Sequence, residues 1–229
     1  MSLYANTTGS CNIAVGMRTL FSNTTGCFNT AVGRRALYAN TTASCNTAIG
    51  QGALTSNTTG YNNIASGFAA LCSNTTANDN TAVGAFALMF NTTGHSNAGF
   101  GYGVLKANTT GCYNTAVGFR SLCSNTTAND NVALGTCALH ANTTGTGNTA
   151  QGYRALSINT TGSQNTASGR YALRWNSSGG CNTATGREAL RANTTGCLNT
   201  VTGYKAMYEN TTACFNTAFG ACTLYANTT

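Results

Sequence analysis

The triplet Asn-Thr-Thr begins at Asn6, Asn23, Asn40, Asn57, Asn74, Asn91, Asn108, Asn125, Asn142, Asn159, Asn193, Asn210 and Asn227, and Asn176 fills the one remaining slot as Asn-Ser-Ser. Every spacing is 17 residues, with no insertion or deletion. The unit reads N-T-T-G-x-x-N-T-A-x-G-x-x-A-L-x-x, numbered here as positions one to seventeen from its first Asn. Position seven is Asn in all 13 complete units: Asn12, Asn29, Asn46, Asn63, Asn80, Asn97, Asn114, Asn131, Asn148, Asn165, Asn182, Asn199 and Asn216. Position eleven is always Gly, position fifteen is Leu except for Met207, and position nine is Ala except for Gly99 and Val201. A globular fold would give each unit its own surroundings and its own demands. Identical demands imply identical surroundings, which a stack supplies.

Seventeen residues are too few for two packed helices, and Asn, Thr and Gly are poor helix formers. The expected fold is all-β: a β-solenoid, or β-roll, of about 13.5 coils of 17 residues, read as a single repeat domain over residues 1–229. Two short parallel-stacked strands are expected per coil, at about positions seven to ten and thirteen to sixteen. Asn-Thr-Thr-Gly and the position-eleven Gly supply the bends. Coils would stack at about 4.8 Å. Ala at nine and Leu at fifteen form the expected core pair, each buried Leu contributing roughly 1.5–3 kcal/mol. Asn at one and seven would form ladders of side-chain amides along the stack.

The repeat, standing here as Asn29-Thr30-Ala31-Val32-Gly33 and Ala36-Leu37-Tyr38-Ala39-Asn40-Thr41-Thr42, resembles arrays in phage and giant-virus fibre proteins. It is also similar to adhesin-head-like surface fibres of bacteria. The resemblance covers essentially the whole chain. It implies a homotrimeric shaft, because the related adhesin heads are trimers of left-handed β-rolls. The 11 cysteines depart from that pattern.

Charged residues make up 7% of the chain, against about 25% in ordinary soluble domains. All 11 Lys and Arg fall at three positions. Arg34, Arg170 and Arg187 occupy twelve; Arg18, Arg35, Arg120, Arg154 and Lys205 occupy thirteen; Lys106, Arg174 and Arg191 occupy sixteen. Aromatics collect at the same positions, so one edge is basic and aromatic. That edge reads as a solvated rim, a subunit interface, or a surface for a glycan or polyanion. Nucleic acid is the weakest of these partners, because the charges form no dense cluster.

Cys11, Cys27 and Cys45 lie in successive coils, as do Cys181, Cys197 and Cys214. Coil spacing suits a disulfide, and bridges would imply an oxidising, extracellular setting. The alternative is a small semi-apolar filler. Each triplet from Asn6 to Asn210 is formally an N-glycosylation acceptor, although position two is as fixed as position three, which points to turn geometry.

The sequence supports no catalytic, cofactor or metal reading. The four acids, Asp79, Asp130, Glu188 and Glu209, form no carboxylate pair, and His95 and His140 stand far apart in the stack. No apolar run is long enough to span a bilayer. Met1 leads straight into repeat register, so the chain reads as a piece of a longer protein or a mature segment. The expected role is a rigid fibre shaft on a cell or virion surface, for attachment or spacing. A self-assembling extracellular filament, stacking end to end, is one alternative. Ice binding through regular Thr rows is another, weakened by Ile13, Ile64, Ala98 and Val132 at position eight.

Overall fold

The computed structural model describes residues 1–228; Thr229, the last residue of the repeat domain read over 1–229, lies outside the described residues. The chain divides into two compact units, Met1–Asn114 and Thr115–Thr229. Both are parallel β-solenoids in which one 17-residue period makes one coil. No helix occurs among the described residues.

The first unit contains β1 (Ile13–Val15), β2 (Thr30–Val32), β3 (Thr47–Ile49), β4 (Ile64–Ser66), β5 (Thr81–Val83) and β6 (Ala98–Phe100). Each strand pairs in parallel with the next, 17 residues on: Ala31 lies against Ala48, and Ala48 against Ala65. The second unit repeats the scheme with β7 (Thr115–Val117), β8 (Val132–Leu134), β9 (Thr149–Gln151), β10 (Thr166–Ser168), β11 (Thr183–Thr185), β12 (Thr200–Thr202) and β13 (Thr217–Phe219). Its register is also 17, as in Ala150 against Ala167 and Ala167 against Ala184. Equivalent positions therefore form rows along each stack, and the seventeen positions become seventeen rows.

The strands occupy rows eight to ten, where Thr, Ile and Val favour a pleated surface. Row nine points inward, and Ala31, Ala48, Ala65, Ala116 and Ala133 are fully buried. Gly at row eleven then turns the chain. Its φ of +117° to +140° is open to glycine alone.

The second expected strand is absent among the described residues, and this corrects the sequence reading. Rows thirteen to sixteen form a run of turns. Residues at rows thirteen and fifteen are left-handed: Arg35 has φ 61° and Leu37 φ 49°, and the other coils repeat the pattern. A left-handed residue destroys the in–out alternation of a strand. Rows fourteen and fifteen consequently both point inward: Ala36 and Leu37, and Ala53 and Leu54, are all fully buried. The core thus has three rows, nine, fourteen and fifteen, where the sequence reading had two. Inter-coil hydrogen bonding continues through this run: Leu37 N donates to Ala53 O at 3.0 Å, and Ala39 N to Thr55 O at 3.0 Å. Left-handed Leu costs about 1–2 kcal/mol relative to the right-handed form. Burial of the Leu side chain offsets that cost.

The Asn-Thr-Thr-Gly corner closes on itself. Thr24 N, Thr25 N and Gly26 N all donate to Thr41 O in the next coil, at 2.8, 3.2 and 3.4 Å. The Thr24 hydroxyl joins them at 3.1 Å.

Candidate functional site

Two amide ladders flank this corner. In row one, Asn40 Nδ2 donates to Asn23 Oδ1 in the preceding coil at 2.8 Å and to its own coil's Ala43 O at 3.0 Å. In row seven, Asn29 Nδ2 reaches the same Ala43 O at 2.9 Å, and Asn29 Oδ1 accepts Asn46 N at 3.0 Å. One row-four carbonyl thus receives both ladders. The row-seven residues expected to form a ladder do so, with Asn12 and Asn216 half-buried at the ends and Asn29 through Asn199 buried.

The row-one burial corrects the glycosylation reading. Asn23, Asn40, Asn57, Asn74, Asn91, Asn108, Asn125, Asn142, Asn159, Asn176, Asn193 and Asn210 are fully buried. Where both amide hydrogens are committed, as at Asn40 and Asn74, a glycan on Nδ2 would replace one of the two bonded hydrogens and need space the buried corner does not have. Asn6 alone of the acceptors is half-buried.

Rows twelve, thirteen and sixteen carry the cations. The left-handed backbone at row thirteen turns those side chains outward beside row sixteen. Arg18, Arg34, Arg35 and Lys106 lie in the first unit; Arg120, Arg154, Arg170, Arg174, Arg187, Arg191 and Lys205 lie in the second. Row sixteen of the first unit opens with stacked rings: Tyr4 on Phe21 at 5.0 Å and Phe21 on Tyr38 at 5.4 Å between centroids. That separation follows from coil spacing. The second unit interleaves cations with rings. Arg174 lies 4.8 Å from the centroids of both Tyr171 and Trp175, and Arg170 lies 4.8 Å from Tyr171. Arg191 contacts the Tyr208 hydroxyl and lies over its ring at 5.2 Å. The Arg170 guanidinium beside Tyr171 holds that phenol below its ordinary range. Glu188 is the one acid of this edge. It sits in row thirteen between Arg187 at 3.5 Å and Lys205 at 3.8 Å.

The cysteine clusters resolve differently from expectation. Cys11, Cys27, Cys45, Cys181, Cys197 and Cys214 are all free thiols. Stacking places row upon row, so thiols in adjacent coils meet only if they share a row. Cys11, Cys45 and Cys181 lie in row six, whose side chains are exposed. Cys181 meets Gln164 Oε1 at 3.2 Å. Cys27 lies in row five between Ser10 and Ser44. Of these six, Cys197 and Cys214, both in row five, come together, with Sγ atoms 2.8 Å apart.

Row five has a role that the sequence reading missed. Its side chains accept the backbone N–H of the coil before. Cys27 N donates to Ser44 Oγ at 2.9 Å, Tyr61 N to Asn78 Oδ1 at 2.9 Å, and Cys197 N to Cys214 Sγ at 3.0 Å. Ser, Asn and Cys interchange there because each offers a short acceptor.

Among the described residues, no group of three His, Cys, Asp or Glu side chains assembles that could hold a metal ion. Nor, among those residues, is any helix long and apolar enough to cross a membrane. No protein-family model, curated protein or solved structure matches the chain. The fold itself defines the class: a structural β-solenoid repeat of 17-residue coils, tied by buried asparagine ladders.

Proposed function

We propose that the chain is a non-catalytic structural repeat. It forms the rigid shaft of an extracellular or virion-surface fibre and serves attachment or spacing. The observation that carries this reading is how the polar side chains are spent. Row-one and row-seven amides are buried and bonded to neighbouring coils, so the recurring chemistry of the sequence is used in joining coil to coil. Partially satisfied networks would be costly, whereas satisfied ones rigidify. Exposed Val15, Val32, Ile49, Val83 and Phe100 in row ten support association with identical chains, as a homotrimer or an end-to-end filament. Electron microscopy with analytical ultracentrifugation tests the proposal. It expects stiff elongated particles containing more than one chain; compact monomeric particles would contradict it.

One observation favours a second reading, ice binding. The row-three hydroxyls are exposed along each stack, Thr25, Thr42 and Thr59 among them. Against it, row-two hydroxyls are spent on the next coil's carbonyl, as in Thr58 Oγ1 to Thr75 O at 3.0 Å. A thermal-hysteresis measurement separates the two, since a shaft gives none.

A further inference from the structure

Row thirteen of the second unit runs Arg120, Cys137, Arg154, and row sixteen beside it runs His140, Ser157, Arg174. Cys137 and Ser157 are the short members. Where they fall, the edge opens into a cavity of about 390 Å³ lined by these six residues among others. Such a volume lies in the range of small-ligand sites. Arg120 and Arg154 stand two coils apart, roughly 10 Å by stacking geometry, and face His140 from both sides.

Three further observations concern what the cavity would hold. None of Arg120, Arg154 and Arg174 takes part in an ion pair; among the described residues those pairs belong to Glu188. Ser157 Oγ is buried without a hydrogen-bond partner, on a residue only 5% exposed, and Arg174 Nε is likewise buried and unpartnered. Buried polar atoms ordinarily have partners, and orphans call for one. The imidazole of His140 is held below its ordinary pKa by burial first, then by the charges of Arg120 and Arg154.

We propose that this cavity binds the sulfate or carboxylate group of an acidic saccharide. Arg120 and Arg154 clamp the oxyanion from either side, and Ser157 Oγ and Arg174 Nε donate to it. A planar guanidinium presents paired donors to such oxygens. Trp175, which is exposed and stands 4.8 Å from the Arg174 guanidinium, gives the adjoining surface an apolar face against which a sugar ring can lie. A single half-open cavity suits one anionic substituent on a sugar better than a continuous phosphate chain, which needs an extended basic track. The saccharide rests on the surface-fibre reading; the oxyanion chemistry does not.

Calorimetric titration of the intact chain tests this with three probes: sodium sulfate, a sulfated oligosaccharide and its desulfated counterpart. The expected order is sulfated oligosaccharide tightest, sulfate weaker, desulfated sugar without measurable binding. Arg120→Gln with Arg154→Gln, and separately Ser157→Ala, should each weaken the sulfated probe, the double variant at least tenfold. An Arg34→Gln variant in the first unit should bind as the parent does. Matching circular-dichroism melts establish that the variants remain folded. Unchanged affinity in the double variant overturns the site. Equal affinity for sulfate and sulfated sugar, or for sulfated and desulfated sugar, overturns the saccharide. Absence of elongated particles overturns the shaft and leaves the titration result standing.

Discussion

Gly99 and Val104 are fitted to each other. Row nine is otherwise Ala or Val, and row fourteen is mostly Ala. A Cβ added to Gly99 would lie 3.0 Å from Val104 Cγ1 and 2.9 Å from Leu88 Cδ1. The methyl missing from row nine is thus compensated by the larger side chain of row fourteen in the same coil. Gly99→Ala alone should overpack the coil and cost about 1–3 kcal/mol. Val104→Ala alone should leave a cavity and cost about 1–2 kcal/mol. The double variant restores the Ala pair of the preceding coil, Ala82 and Ala87, and should regain most of both losses. A double-mutant cycle by denaturant unfolding checks this; additive losses would show that the two sites are independent.

Asn74 tests the ladder. Its Nδ2 donates to Asn57 Oδ1 and Ala77 O, and its Oδ1 accepts Asn91 Nδ2. Asn74→Ala orphans buried partners on both sides, each at about 1–3 kcal/mol. Thr76→Ala, at an exposed position of the same corner, should stay within about 0.5 kcal/mol. The same geometry predicts that folded protein from a glycosylating host carries no sugar from Asn23 to Asn210, which intact-protein mass spectrometry reads directly.

Two glycines should behave oppositely. Gly67 has φ +140°, and a Cβ there would lie 2.5 Å from Gly84 O. Backbone cannot yield, so Gly67→Ala should cost about 3 kcal/mol or more. Gly52 has φ +75°, and its nearest neighbour to a Cβ is Thr55 Oγ1 at 3.5 Å. Row thirteen already carries Ala69 in the next coil at φ 53°. Gly52→Ala should therefore change stability by less than about 1 kcal/mol. Thermal melts of the two variants provide the comparison, and equal losses would contradict the assigned backbone.

Cys197 and Cys214 should be the thiols that a mild disulfide oxidant couples first. Peptide mapping without reductant should recover that linkage ahead of any other. Preferential coupling of Cys11 with Cys27 would contradict the row assignment.

The 17-residue period, the parallel register and core rows nine and fifteen were legible because each is a sequence constant. Row fourteen and the left-handed Leu were not. Nothing local favours Leu37 at φ 49°; its conformation is held by inter-coil hydrogen bonds and burial, which a single unit does not display. In sequence alone, Ala36-Leu37 fits an alternating strand. The row-one amides satisfy an acceptor motif and a turn equally well in sequence, and only their burial separates the two. The cysteines were grouped by coil, whereas contact requires a shared row, as Cys197 and Cys214 show. The cavity beside Arg120 and Arg154 depends on short Cys137 and Ser157 coinciding in adjacent rows, a relation invisible until the rows are placed side by side.

Periodic stacking itself is most directly tested by pulsed electron–electron spin resonance within the first unit. Nitroxides would be placed at exposed Thr8 and, in turn, at Thr76, Thr93 and Thr110, with the native cysteines changed to serine. These pairs lie four, five and six coils apart. The account predicts separations of roughly 19, 24 and 29 Å, a constant step of about 4.8 Å per 17 residues. Distances that fail to rise by one fixed step per period would contradict it.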